Sequence, residues 1–162
     1  RAIQLNKSLL LLSRIQNRQF EEVAEVDMNR HARHIIGLLS DLYEEKELDY
    51  HLSDTETCRI RMNESLAHTL LTNLIKNAII HSPDHGRVDI VIHSARIEII
   101  NDGNQALDKQ QIFKRFYKGN AGQKESTGLG LSIAQSIANL YHIKLTYYHD
   151  GRHHFVLKIA KP

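Results

Sequence analysis

Two short reversals inside strand-like runs constrain this chain most. Val88, Ile90 and Ile92 alternate with polar residues, Ile97 and Ile99 do the same, and only Ser94-Ala95 lies between the runs. A second reversal, Asp150-Gly151, joins Lys144 to Tyr148 with His154 to Ile159. Period-two alternation sends apolar side chains to one face of a strand, and a two-residue turn forces its neighbours to pair antiparallel. The resulting sheet has one dry face that helices must cover. Three segments supply them. The first runs from an N-cap at Asp27 to about Glu45, with Met28, Ala32, Ile35, Ile36, Leu39, Leu42 and Tyr43 at helical period. The second runs from Glu64 to His81 and stops at Ser82-Pro83, because proline disfavours helical geometry in the residue before it. The third, Leu129 to Tyr141, lines up Ile133, Ala134, Ile137, Ala138 and Tyr141. Strands are also expected near Leu48 to Leu52 and Cys58 to Met62, with a short extended stretch around Glu22 to Val26. Asp102 to Gln105 reads as a turn, Asp108 to Arg115 as a short helix, and Tyr117 to Ser126 as a polar loop with little to bury, hence mobile. Without strict strand-helix alternation the class is α+β: a two-layer sandwich with helices on one face of a mixed, mostly antiparallel sheet.

The opening segment differs from the rest. Arg1 to Arg18 holds Leu5, Leu9, Leu10, Leu11, Leu12 and Ile15 without Gly or Pro, a helix apolar on more than one face that needs partners on two sides. It reads as the cut end of a longer helical bundle, so the expected division is residues 1–19 and 20–162. Lys and Arg number 21 against 19 Asp and Glu, which leaves no basic stripe for nucleic acid and makes any phosphate binding local. The lone Cys58 has no disulfide or zinc partner and suits a reducing, cytoplasmic setting. No apolar run reaches about 18 residues, so the chain as given is expected to be soluble, with any membrane anchor of a parent protein outside it. Among the eleven histidines, His31 with His34 and the pair His153-His154 invite a metal, but they lack a completing ligand set and read as solvated surface residues.

Three features carry chemistry. In Leu-Leu-Thr-Asn-Leu-Ile-Lys-Asn-Ala-Ile-Ile, Asn73 and Asn77 stand i,i+4 and share a face with His81, while Leu71, Leu74, Ile75 and Ala78 face the core. Asparagine is unfavourable in a helix interior, so a wall of carboxamides implies a site, and a carboxamide oxygen is a hard ligand suited to Mg²⁺. Next, Ser-Thr-Gly-Leu-Gly-Leu-Ser-Ile at 126–133 leads into a helix, where glycines let backbone N–H groups approach an anion at the positive dipole end. The loop before it, with Lys118 and Lys124, is a candidate lid. Third, Ile99-Ile100-Asn101-Asp102-Gly103 ends a strand in hydrogen-bond acceptors and a glycine that admits a flat ring.

In this order, with Phe113-Lys-Arg-Phe116-Tyr117 between the last two, the motifs resemble the N, G1, F and G2 boxes of the sensor histidine kinase catalytic domain. That domain belongs to the Bergerat-type ATPase superfamily of gyrase B, heat-shock chaperone and mismatch-repair ATPases. The resemblance implies ATP and Mg²⁺ as cofactors, with Asn77 as the Mg²⁺ residue and Asn73 orienting the reacting phosphate or the acceptor. It places Asn101 or, by a one-residue shift, Asp102 at the adenine amino group, with Gly103 beside it. Tyr117 and Lys118 approach the nucleotide, as do Thr127, Gly128, Leu129, Gly130 and Leu131 of the phosphate loop, and Lys76 or His81 stands in for a basic residue. The chain departs from the pattern where Asn101 replaces Asp, Gln105 replaces a glycine, Ser126 replaces the first phosphate-loop glycine and Ile80 replaces the base. A neutral acceptor bonds more weakly than a carboxylate, so weaker nucleotide binding is expected.

The implied reaction passes the γ-phosphoryl group of ATP to a histidine of a dimerisation domain and on to the receiver domain of a response regulator. No histidine here has the phosphoacceptor context, so the acceptor is expected outside this chain. The opening helix is similar to the second helix of that dimerisation domain. A homodimeric parent anchored in the bacterial inner membrane is implied, this fragment being a monomer or weak dimer. Two alternatives stand beside this reading: a nucleotide-binding but catalytically degenerate signalling module, and another ATPase or Ser/Thr kinase of the same superfamily.

Overall fold

The computed structural model describes residues 2–118 and 128–160. Its order is α1 (Ala2–Gln16), β1 (Ala24–Asp27), α2 (Met28–Leu42), a 3-10 turn (Glu44–Lys46), β2 (Asp49–Ser53), β3 (Arg59–Met62), α3 (Glu64–His81), β4 (Arg87–His93), β5 (Arg96–Asp102), α4 (Gly130–Leu140), β6 (Lys144–His149) and β7 (Arg152–Lys158). Both predicted hairpins form. β4 pairs antiparallel with β5 around Ser94-Ala95, and β6 with β7 around Asp150-Gly151. A five-stranded sheet results, in the order β2-β4-β5-β7-β6, mixed because β2 runs parallel to β4. The short β1 and β3 form a separate antiparallel pair, which strand patterning did not reveal.

Local chemistry explains the helix starts. The Asp27 side chain accepts from the Arg30 N–H at 3.1 Å and the Asn63 side chain from the Leu66 N–H at 3.0 Å, each satisfying a donor left free at a helix N-terminus. α3 is the central helix. Leu66, Leu70, Leu71, Leu74, Ile75, Ala78 and Ile79 are sealed against the sheet and neighbouring helices, each large side chain contributing about 1.5–3 kcal/mol by burial. Ile90, Ile97, Ile99, Phe155 and Leu157 supply the facing sheet surface. α1 joins this core through the buried Leu12 and Ile15, yet leaves Ile3 and Leu10 exposed.

Two expectations fail. Residues 108–115 make a succession of turns rather than a helix, with Ile112 N–H bonded to the Asp108 carbonyl and Lys114 N–H to that of Gln111. The segment is too short to propagate a helix once Asp108 spends its carboxylate on the Gln110 N–H. His153 and His154, expected at the surface, are both buried. His154 is held between Glu98 and Asp150 at 2.8 and 2.7 Å on the polar face of the sheet, and His153 points the other way, toward the helices. The loop expected to be mobile lies largely outside the described residues.

Candidate functional site

A cavity of about 400 Å³ opens between the sheet end formed by β5 and β7 and the helices α3 and α4. α3 contributes Asn73, Asn77 and His81, the three positions its helical period aligned. From the sheet and its end come Asn101 and Gly103, and from the segments on either side of residues 119–127 come Tyr117, Lys118, Gly128, Gly130 and Leu131. The structure thus gathers most of the predicted residues around one space. Asp102 and Leu129 are not among its walls. The Asp102 carboxylate takes a 2.7 Å bond from Arg152 and a 2.9 Å bond from the Arg87 N–H, tying two strands together on the opposite side. Leu129 is fully buried beneath the start of α4. Thr127 lies outside the described residues.

Several polar groups around the cavity have no internal use. Asn101 Nδ2 donates to the Asp102 carbonyl at 3.1 Å, and this fixes its Oδ1 as the free end; that oxygen is buried and has no hydrogen-bond partner. Asn73 Nδ2 is likewise buried and unpartnered. A buried polar atom left unpaired costs about 1–3 kcal/mol, so two of them facing one cavity mark places where a ligand supplies the missing bond. Gly130 approaches Asn73 closely enough that an added Cβ would stand 3.9 Å from its Oδ1, which brings the α4 N-terminus and the carboxamide wall together.

Two glycines are dictated by what lies against them. A Cβ at position 103 would fall on the His153 imidazole. Gly128 has φ +75°, and a Cβ there would lie 2.7 Å from the Phe116 backbone, whose N–H donates to the Gly128 carbonyl at 2.7 Å. That bond ties Phe116 to Gly128 directly.

Sequence reasoning missed several walls. Gln4 and Ser8 of α1 line the cavity, a consequence of α1 docking on α4 that no local pattern encodes. His153 is the more informative omission. It pairs with Asn101 across β7 and β5, so both side chains leave the same sheet face. Burial holds its imidazole below the usual histidine pKa, helped by His149, His81 and His154. His81 is shifted the same way by the protein around it and by Lys46, although the residue is exposed. The twofold alternation of β7 contained the signal, since His153 and Phe155 share the inward face.

The fold and cavity define an α+β domain whose walls offer carboxamides, a helix N-terminus and a glycine at a sheet end. A family profile described as histidine kinase-, DNA gyrase B- and HSP90-like ATPase matches residues 62–161, and the chain belongs to that family. Among relatives, the heme sensor protein HssS of Staphylococcus epidermidis is 35% identical over 96% of this chain and 36% of its own length. The chain therefore spans about a third of the length of the curated relatives it matches. Two solved structures share its fold. The catalytic domain of histidine kinase ThkA, also solved with the response regulator protein TrrA, superposes with TM-score 0.74 at 23% identity, covering 86% of this chain and 96% of that one. Full-length ShkA in complex with AMPPNP gives TM-score 0.79 at 20% identity over 99% of this chain and 37% of that one.

Proposed function

We propose that this chain is the ATP-binding catalytic domain of a sensor histidine kinase, which transfers the γ-phosphoryl group to an imidazole nitrogen of a histidine in a dimerisation domain. The observation that carries the reading is the pair of unengaged carboxamides, Asn73 and Asn77, facing the start of α4 across the cavity. Asn77 makes no side-chain hydrogen bond to a described residue, leaving its oxygen available as a hard ligand, and the scarcity of other protein ligands suits Mg²⁺, which keeps water and phosphate oxygens in its shell. Bound there, the ion would neutralise charge on the phosphates. Asn73 orients the terminal phosphate, the α4 N-terminus with Gly128 and Gly130 receives phosphate oxygens on backbone N–H groups, and Lys118 adds a cation beside Tyr117. Thr127 belongs to the same loop in this reading. Catalysis of this kind is positioning and electrostatic stabilisation, with little proton transfer for the protein to perform.

The division at residues 19 and 20 follows: α1 is the end of the helix that carries the acceptor domain, and its exposed Ile3 and Leu10 are the positions that pack within the homodimeric bundle. The response regulator's receiver domain then takes the phosphoryl group. Among the described residues no helix is long and apolar enough to cross a membrane, and in this reading the domain works in the cytoplasm beneath a membrane-anchored sensor. The test is phosphoryl transfer from ATP to an added dimerisation domain, read as acid-labile phosphohistidine. Transfer that disappears with Asn77→Ala supports the reading; nucleotide binding without transfer leaves the degenerate signalling module in its place.

A further inference from the structure

The base end of the cavity holds a hydrogen-bond relay whose direction can be worked out. The Leu107 N–H donates to the Tyr147 hydroxyl oxygen at 2.9 Å. That hydroxyl lies 2.8 Å from His153 Nδ1 and has no other acceptor among the described residues, so its own hydrogen goes to Nδ1. A neutral imidazole that accepts at Nδ1 carries its hydrogen on Nε2. Tyr147 also stacks on the His153 ring, with centroids 5.9 Å apart and planes 27° from parallel, which holds the ring in place. Nε2 makes no hydrogen bond to a described residue, and its ring edge lies against Gly103 in the cavity wall. Directly across the strand pair, Asn101 has its Nδ2 committed to the Asp102 carbonyl and its Oδ1 orphaned. One acceptor and one donor therefore stand side by side on the same sheet face, each fixed in its role by a bond behind it.

We propose that His153 recognises the nucleotide base: its Nε2–H donates to N1 of adenine while Asn101 Oδ1 accepts from the 6-amino group. Adenine presents a donor and an acceptor at those two positions, and the pair matches them in order. Guanine presents an acceptor at O6 and a donor at N1, the reverse order, and meets both protein groups head on. The roles rest on the nucleotide reading given above.

Calorimetric titration of the full chain with ADP, 1-deaza-ADP (N1 replaced by C–H) and GDP tests this. The wild type is expected to bind 1-deaza-ADP about fivefold to tenfold more weakly than ADP, the effect of one neutral hydrogen bond, and GDP more weakly still. His153→Phe is expected to lose about the same factor for ADP and to bind ADP and 1-deaza-ADP alike, which a merely structural role would not produce. Tyr147→Phe, which frees Nδ1 and keeps the aromatic ring, is expected to narrow the gap between the two nucleotides. The wild-type comparison stands whether or not a variant folds. Equal wild-type affinity for ADP and 1-deaza-ADP, or discrimination that survives in a folded His153→Phe, overturns the base-recognition role and leaves nucleotide binding intact. Absence of ADP binding at millimolar concentration removes both.

Discussion

The two ends of the cavity are built by different means. The end proposed for the phosphates is made by helices: carboxamides one turn apart on α3 and the start of α4. The end proposed for the base is made by the sheet, where Asn101 and His153 meet across β5 and β7 with Asn101 Nδ2 and His153 Nδ1 engaged behind them. At the helical end the Asn73 and Asn77 side chains make no hydrogen bond to a described residue. At the sheet end the imidazole is oriented in advance by a relay running from Leu107 through Tyr147 to His153. Under the proposed function, chemistry on the phosphates would depend on single side chains, whereas base selection would depend on a network in which fold stability and recognition share residues.

The largest expected effect belongs to the helical end. Asn77→Ala should lower phosphoryl transfer by about 100-fold or more, the scale of losing one preorganised electrostatic group, while the thermal unfolding midpoint stays near wild type. A large fall in that midpoint would show that the helical end is not independent of the fold. Gly103→Ala sharpens the contrast from the other side. Its methyl group would overlap the His153 ring, so a loss of about 1–3 kcal/mol in urea denaturation is expected, together with weaker base binding. Asn101→Ala should weaken nucleotide binding by about fivefold, measured by calorimetry, by removing one neutral acceptor.

The smallest effect is in pH. His153, buried in the cavity wall, has a pKa lowered first by burial and then by neighbouring imidazoles, while His81 shifts the same way but is exposed and contributes little. Above the unfolded value of about 6.5 both states are neutral and stability is unaffected by these groups. As pH falls below it, the unfolded chain takes up protons before the folded one, and stability declines until the depressed folded values are passed. Asp89 and Glu98 do not confound that window. Burial raises both carboxyls, but bonds from Arg87 and Arg152 to the first, and from Tyr148 and His154 to the second, leave each net lowered. Their stability is lost only as pH falls below unfolded values near 4. Urea midpoints at pH 7.5 and 5.5 should therefore differ in the wild type and differ less in His153→Phe.

Legibility in the sequence followed the same division. Periodicity located the helices and both hairpins, and the cost of asparagine inside a helix exposed Asn73 and Asn77, because those signals lie within a few residues of one another. The turns at 108–115 bring the adjacent Ile112 and Phe113 onto the core, an arrangement that one face of a helix cannot provide and that no local pattern encodes. The burial of His153 arises from cross-strand pairing with Asn101, about fifty positions away in the chain, and so has no local signal. Gln4 and Ser8 were invisible for the same reason, since only the docking of α1 on α4 brings them to the cavity.

The most direct test of the account is calorimetric titration of the chain with a non-hydrolysable ATP analogue, with and without Mg²⁺, comparing wild type with Asn77→Ala. Micromolar to millimolar binding, strengthened by Mg²⁺ in the wild type and indifferent to it in Asn77→Ala, is the predicted result. Absence of binding at millimolar nucleotide, or Mg²⁺ dependence that persists in the variant, would contradict it.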